Sequence, residues 1–298
     1  MTAMRDRWRS HLLQTLSGTD DGSPPWVRQL AEGTDAGYFG PGSASWAVHG
    51  GMATMVAGIR ALLVQAMHPG AMAGVHDWSR YREDPLGRLT GTIRWLITVT
   101  FGDRATAERS SAMVRALHER VRGTYLDASG RSVPYSAGDP DLIEWVHLAF
   151  TDAFLTCHEI WETEIPGGPD AYVREWAVAG ELIGLTDPPL TAADMRARLR
   201  GFSEAGTLRA DDRVHDVVRF IRRPPLVPGM LPAYRIMFQG AIASLDPSQR
   251  AMLGLGRPAP LAVPATGLVL RSARSLLGER STSEEAALTR IARLREMT

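Results

Sequence analysis

Apolar residues recur at three- and four-residue steps along most of this 298-residue chain. The spacing is clearest over residues 52–67, where the apolar side chains would share one face of a helix. Few stretches alternate with a period of two, and the sequence has no fixed-period repeat. The pattern therefore predicts an all-α fold. The face over residues 52–67 is formed by Met52, Met55, Val56, Ile59, Leu62, Leu63 and Met67.

Prolines, glycines and capping side chains divide this pattern into separate helices. Asp103 and Thr191 are predicted helix N-caps, and Asp139 is predicted to cap a helix that begins at Pro140. Residues 130–134 begin with a glycine and end with a proline, which predicts a loop or a small hairpin. The predicted helices cover residues 52–67, 70–77, 89–99, 104–122, 140–163, 170–183, 191–204, 208–221, 230–243 and 247–253.

The length of the chain is sufficient to bury one large core. We expect an N-terminal extension over residues 1–39, a single helical domain over residues 40–255, and a C-terminal linker and helix over residues 256–298. The most apolar stretch, residues 51–67, contains Arg60 and is shorter than the roughly 20 residues that a membrane span needs. The N-terminus lacks the unbroken apolar run of an export signal, so we expect a soluble, cytoplasmic protein without a stable membrane span.

The charged residues narrow the chemistry that this chain can perform. All 33 basic residues are arginine, and they balance 33 acidic residues, so the formal net charge is +0. A chain without lysine cannot form a Schiff base, carry the lysine of a P-loop or use the strand lysine of a protein kinase. The balanced charge argues against nucleic acid as a partner. The single Cys157 excludes an internal disulfide, and the HExxH and GxSxG motifs are absent from the sequence.

One predicted helix carries the most informative of the eight histidines. His118 lies four residues after Val114 and three before Val121, so its imidazole is predicted to point inward with this apolar stripe. Arg115 and Arg122 flank it on the same side of the helix. A neutral imidazole between two guanidinium groups suits haem, which has an iron and two propionates. From spacing alone, a hydrogen-bonded core histidine with solvated arginines is the alternative.

A set of short motifs surrounds His118. Residues 62–123 contain HPG, an R-x-x-x-T step, FGD and VRALHERVRG in this order, and YSAGDPDLIEWVHLAF follows at residues 135–150. The segment LIGLTDPPL continues the series at residues 182–190. Over roughly residues 40–255 the chain resembles the catalytic domain shared by latex-clearing protein, a rubber oxygenase, and the MpaB-type oxygenase of mycophenolic acid biosynthesis.

The resemblance implies an all-α, globin-like core that binds haem b. It implies that His118 is the proximal iron ligand and that Arg115 belongs to the same motif. Arg88 and Thr92 match residues that line the haem pocket of the rubber oxygenase. Gly91 stands where that enzyme has a lysine that can approach the iron, so a lysine-ligated state is impossible in this chain.

Three other histidines and the cysteine are weaker candidates for residues of the haem site. His76 could be oriented by Asp77 and lie on the distal side of the haem as a proton donor. His68 is predicted to cap the last carbonyls of the preceding helix. His147 is predicted to be a core residue, with packing near the haem as the alternative. Cys157 is more typical of a small buried hydrophobe than of a thiolate ligand.

From these residues and this resemblance we expect a haem-dependent oxygenase. It would act with dioxygen or a peroxide on a small apolar substrate, isoprenoid or otherwise alkene-bearing. A haem peroxidase or peroxygenase and a haem-binding or sensing protein without turnover are the alternatives. The sequence leaves open whether the chain forms a homodimer. The candidate catalytic residues are Arg88, Thr92 and His76, and the candidate cofactor-binding residues are Arg115, Arg122 and the iron ligand His118.

Overall fold

The computed structural model describes residue 19 and residues 21–78, 85–127, 129–226 and 228–297, with the backbone alone described over 85–90. These residues are 67% helix and 4% strand, which confirms the prediction of an all-α single domain. The globin-like arrangement of the core stays a prediction. The helices before the hairpin are α1 (Pro25–Arg28), α2 (Ala44–Gly50), α3 (Thr54–Gln65), α4 (Pro69–Trp78), α5 (Pro85–Phe101) and α6 (Arg104–His118).

A two-stranded antiparallel hairpin separates these helices from the remainder of the described chain. Its strands are β1 (Arg122–Leu126) and β2 (Ser132–Ser136), so the hairpin predicted around residues 130–134 is confirmed. The helices after it are α7 (Pro140–Trp161), α8 (Gly168–Leu182), α9 (Ala192–Glu204), α10 (Asp212–Arg222), α11 (Leu231–Ser244), α12 (Pro247–Met252), α13 (Ala262–Leu277) and α14 (Thr282–Glu296). Short 3₁₀ turns cover Gln29–Ala31 and Pro228–Met230.

Two of the three predicted N-caps form a side-chain hydrogen bond at the helix start. The carboxylate of Asp103 accepts from the Thr106 amide at 3.0 Å, and the hydroxyl of Thr191 accepts from the Asp194 amide at 3.1 Å, so both caps are confirmed. Asp139 does precede the first residue of α7, but its side chain caps no helix amide. Its carboxylate instead accepts from the Ser136 amide at 2.7 Å, because the turn out of β2 places that donor beside it.

Helix α6 ends at His118, so the prediction that this helix continues to residue 122 is wrong. The next residues form a turn, and Arg122 begins β1 opposite Ser136. Pairing within the hairpin replaces the helical hydrogen bonds here, because Ala137 donates to the Val121 carbonyl at 2.9 Å. Arg122 is therefore not on the helical face that carries His118.

The centre of the core is formed by α3 and α7, which pack along one another. Trp145 of α7 is 1% exposed, and its indole N–H donates to the Gln65 carbonyl at 3.1 Å. Arg60 of α3 and Asp152 of α7 form a buried ion pair at 2.6 Å. This ion pair joins α3 to α7. Removing either partner would leave an uncompensated buried charge, so the fold depends on both residues.

The last helix fastens the N-terminal segment to the core. Arg290 of α14 is 0% exposed, and its guanidinium donates to the carbonyls of Leu30, Asp35, Ala36 and Phe101. One side chain therefore joins α14, the first 3₁₀ turn and the end of α5.

Among the described residues, no single helix has the length and apolar character to cross a membrane. Helices α2 and α3 meet that criterion only as a pair, and they are bent by 91°.

Candidate functional site

A cavity of about 690 Å³ lies between seven helices of the described chain. Its wall is formed by α3, α4, α5, α6, α7, α8 and α10, and by Ile183 after α8. The lining is mostly apolar and aromatic, with few polar side chains, which is typical of a small-molecule or cofactor pocket of this size. Representative apolar members of the wall are Leu62, Met72, Trp95, Phe150, Trp176 and Phe220.

His118 is the C-terminal residue of α6 and lies in this wall. Its Nδ1 atom is buried and has no hydrogen-bond partner among the described residues. Burial lowers the pKa of the imidazole, so the ring is neutral near pH 7. A neutral imidazole with an unpartnered nitrogen beside an apolar cavity can bind a metal ion or hydrogen-bond a ligand.

His147 of α7 lies in the same wall, so the cavity contains a second imidazole. The residue is 4% exposed, and its Nε2 atom is buried without a partner in the part of the chain that is described. Burial lowers the pKa of His147 to about 4. Gly180 of α8 makes room for the ring, because a Cβ there would lie 3.1 Å from the imidazole Cε1. His147 is therefore a buried residue that lines the cavity, and one of its ring nitrogens is not satisfied by the described residues.

Helix α5 contributes polar positions to the cavity. Thr92 and Gly91 both lie in the wall, and a Cβ built on Gly91 would have no described side chain or other helix within 4 Å. The side chain of Arg88 lies outside the described residues. Arg94 also lines the cavity, with its guanidinium carbon 6.0 Å from the centroid of the Trp26 ring. Sequence reasoning missed Arg94, although its spacing of three residues from Gly91 places both on one face of the helix.

The two arginines predicted to flank His118 point to backbone carbonyls at the surface. The Arg115 guanidinium donates to the carbonyl of Leu182 at the end of α8. The Nε atom of Arg122 donates to the Glu119 carbonyl at 3.0 Å. Neither residue is part of the cavity wall as described, and both are exposed. Arg115 stays within one helical turn of His118, so it lies near the rim of the cavity.

The structure places His76 outside the cavity wall. Its Nδ1 atom lies 2.8 Å from the Asp77 carboxylate, as the sequence suggested. Asp77 is shared with Arg213, whose guanidinium lies 3.3 Å away. The neighbouring Val75 does line the cavity, so the face of α4 that carries His76 turns away from it.

His68 has a structural role that differs from the predicted one. Its Nδ1 accepts from the amides of Gly70 at 3.1 Å and Ala71 at 3.4 Å, so it caps the start of α4 rather than the end of α3. An accepting nitrogen must be unprotonated, and burial accordingly lowers the pKa of His68 to about 4. Cys157 is buried, and burial raises the pKa of its thiol to about 12, which disfavours a thiolate.

Within the described residues, no group of three or more histidine, cysteine, aspartate or glutamate side chains is arranged to hold a metal ion. A metal site built wholly from protein ligands is therefore not found in this part of the chain. A metal carried by a macrocycle needs only one or two protein ligands, and His118 and His147 are the candidates in the cavity wall.

A family model described as "ER-bound oxygenase mpaB/B'/Rubber oxygenase, catalytic domain" matches residues 46–293. The match includes every residue of the cavity wall. No curated protein and no solved structure matches the chain.

Proposed function

Because this chain belongs to the family of mpaB and rubber oxygenase catalytic domains, we propose that it is an oxygenase that uses haem b in the cavity beside His118. The observation that carries the proposal is the neutral, half-buried imidazole of His118 in the wall of a largely apolar cavity, with its Nδ1 atom buried and unpartnered among the described residues. Such a ring is ready to bind iron without first losing a proton.

The chemistry of the cavity residues suits haem. The macrocycle requires apolar surroundings, and aromatic side chains such as Trp95 and Phe150 supply them. Its propionates require cations at the rim, where Arg94 is part of the wall and Arg115 lies within a turn of His118. Bound haem would supply an iron that activates dioxygen or a peroxide.

The chain's own residues would hold and orient the reactants. His118 would bind the iron, while Thr92 and His147 offer polar groups within the same cavity. His147 is neutral near pH 7, because burial lowers its pKa to about 4, so it can donate or accept one hydrogen bond without bringing a charge into the site. The largely apolar wall favours an apolar substrate, which supports an isoprenoid or other alkene-bearing molecule as the substrate class.

The experiment combines haem reconstitution with turnover. Purified protein is supplied with haemin, and the absorption spectrum is recorded for the wild type, His118→Ala and the matched control His215→Ala, whose histidine is exposed on α10. We expect a Soret band for the wild type and the control and its loss or shift for His118→Ala. An unchanged spectrum in His118→Ala would show that another residue binds the iron.

Oxygen consumption then separates the oxygenase from its alternatives. The haem-loaded protein is incubated with a panel of terpenoids and unsaturated lipids, and products are identified by mass spectrometry with labelled dioxygen. Incorporation of label into a product supports the oxygenase. Turnover that depends on peroxide alone indicates a peroxidase or peroxygenase, and haem binding without turnover indicates a sensor.

A further inference from the structure

Three buried side chains, those of Trp176, His49 and Tyr172, contact one another beside the cavity, and Trp176 is part of the cavity wall. The imidazole of His49, in the last turn of α2, packs on the Trp176 indole with ring centroids 4.2 Å apart. The Nε2 atom of His49 lies 3.2 Å from the phenol oxygen of Tyr172. The three side chains are almost fully buried, at 3% exposure for Trp176, 7% for His49 and 0% for Tyr172.

The helices fix these rings in continuous contact. Tyr172 and Trp176 are four residues apart on α8, so they share one face of that helix. Trp95 of α5 also lines the cavity, and its ring centroid lies 6.4 Å from that of Trp176. These separations are those of aromatic side chains in direct contact. A path of aromatic rings therefore leads from the cavity to the Tyr172 phenol.

Packing alone does not account for a histidine at position 49. Its Nδ1 atom is buried without a hydrogen-bond partner among the described residues, which is costly for a core side chain. Burial lowers the pKa of His49 to about 3, so the ring is neutral and one of its nitrogens has a lone pair that can accept a hydrogen bond. We assign the accepting role to Nε2, with the Tyr172 hydroxyl as donor, because the opposite tautomer would leave both the phenol O–H and Nδ1 without a partner among the described residues.

We propose that Trp176, His49 and Tyr172 form a redox relay that moves an oxidising equivalent out of the cavity and holds it as a Tyr172 phenoxyl radical. The inference rests on the proposed function, because the oxidant is a peroxide reduced at the haem. Hydrogen peroxide that is reduced to two water molecules takes up two protons from solvent and two electrons. The haem iron would supply one electron and be left oxidised by one equivalent, and the Trp176 indole would supply the other. The relay therefore begins with a one-electron oxidation of Trp176.

The second step restores Trp176 at the expense of Tyr172. One electron passes from Tyr172 to the oxidised indole, the phenolic O–H bond breaks, and the proton forms an N–H bond at His49 Nε2. The products are neutral Trp176, a phenoxyl radical and an imidazolium. Burial raises the pKa of Tyr172 well above its usual range, so the phenol is not ionised beforehand and its electron must leave together with its proton.

The direct test observes the transfer without any cofactor. Ultraviolet laser photoionisation of the full chain oxidises its tryptophans, and transient absorption follows the decay of tryptophan radicals and the growth of a tyrosyl radical. In the wild type we expect the absorption of a tyrosyl radical to grow as the tryptophan radicals decay. This growth should be slower in deuterated water, and most of it should be lost in Tyr172→Phe. Tyr234→Phe is the matched control, because the Tyr234 hydroxyl donates to a carbonyl that cannot take up a proton.

A second variant tests the role of the histidine. His49→Phe keeps an aromatic ring beside Trp176 but offers Tyr172 no proton acceptor, so the tyrosyl signal should be lost although Tyr172 is retained. Far-ultraviolet circular dichroism checks that each variant is folded. If His49→Phe does not fold, Tyr172→Phe decides the question, since it removes only a hydroxyl. Equal tyrosyl yields in the wild type and Tyr172→Phe would overturn the relay.

The haem-loaded protein supplies the companion measurement. Rapid freezing after addition of hydrogen peroxide should trap a tyrosyl radical in the electron paramagnetic resonance spectrum that is absent from Tyr172→Phe and present in Tyr234→Phe. The same radical in Tyr172→Phe would contradict the proposal. A chain that binds no haem but passes the photoionisation test would refute the proposed function and leave the relay standing, so the two failures are distinguishable.

Discussion

Acidification tests how strongly the fold depends on neutral buried histidines. His49, His68 and His147 have folded-state pKa values lowered to about 3, 4 and 4, against an ordinary value of 6.5. A lowered histidine pKa means that the folded state favours the neutral ring. The stabilisation is therefore complete above the unfolded pKa of 6.5 and is lost as the pH falls towards 4.

The magnitude follows from proton linkage. A histidine with a folded pKa near 4 loses about 2 kcal/mol of its contribution to the free energy of unfolding between pH 7 and pH 5. Three such residues lose about 6 kcal/mol together, which is comparable to the ~5–15 kcal/mol that stabilises a typical domain. We therefore expect the protein to be marginally stable near pH 5.

Urea unfolding followed by circular dichroism at the two pH values measures this loss. His68→Asn isolates one contribution, because an asparagine oxygen can still accept from the Gly70 amide but does not titrate. We expect this variant to lose about 2 kcal/mol less than the wild type on acidification. His215→Asn, at an exposed position, should behave as the wild type does. A wild type that is equally stable at both pH values would refute the reasoning.

Three further predictions concern other parts of the structure. Arg290→Met should lower the free energy of unfolding by about 2–6 kcal/mol, since it leaves at least two buried carbonyls unpaired, whereas the exposed Arg293→Met should cost under about 1 kcal/mol in the same urea titration. Gly180→Ala should push on His147 and destabilise by about 1–3 kcal/mol, visible as a lower thermal midpoint. Gly91→Lys should be accepted by the fold, because the space around that Cβ is open, and should alter the spectrum of added haemin. A wild-type spectrum in Gly91→Lys would mean that the new amine does not reach the cofactor.

The helices were predictable because local signals agree with the tertiary structure. The apolar spacing is a local signal that acts within one helical turn. The N-caps Asp103 and Thr191 are local signals too, and both form the predicted hydrogen bonds in the structure. The end of α6 was not predictable in this way. Arg122 continues the helical spacing, but in the structure it pairs with Ser136 on β2. These residues are fourteen positions apart, and helical periodicity within one segment does not report a contact at that separation.

The site was only partly predictable for a related reason. His118 and Thr92 were named from the motifs and do lie in the cavity wall. His147 and Arg94 also lie there, because seven helices converge on the same space, and convergence depends on packing rather than on spacing within one helix. Helical periodicity shows which side of α7 is buried, but it cannot separate a core position from a cavity position.

Imidazole rescue tests the central claim, that His118 binds the iron of a haem, most directly. His118→Gly removes the imidazole and leaves space at the end of α6, and haemin is then added with and without free imidazole. We predict that His118→Gly lacks the wild-type Soret band and that free imidazole restores it, because the small ligand takes the place of the missing side chain. A wild-type spectrum in His118→Gly without imidazole would contradict it.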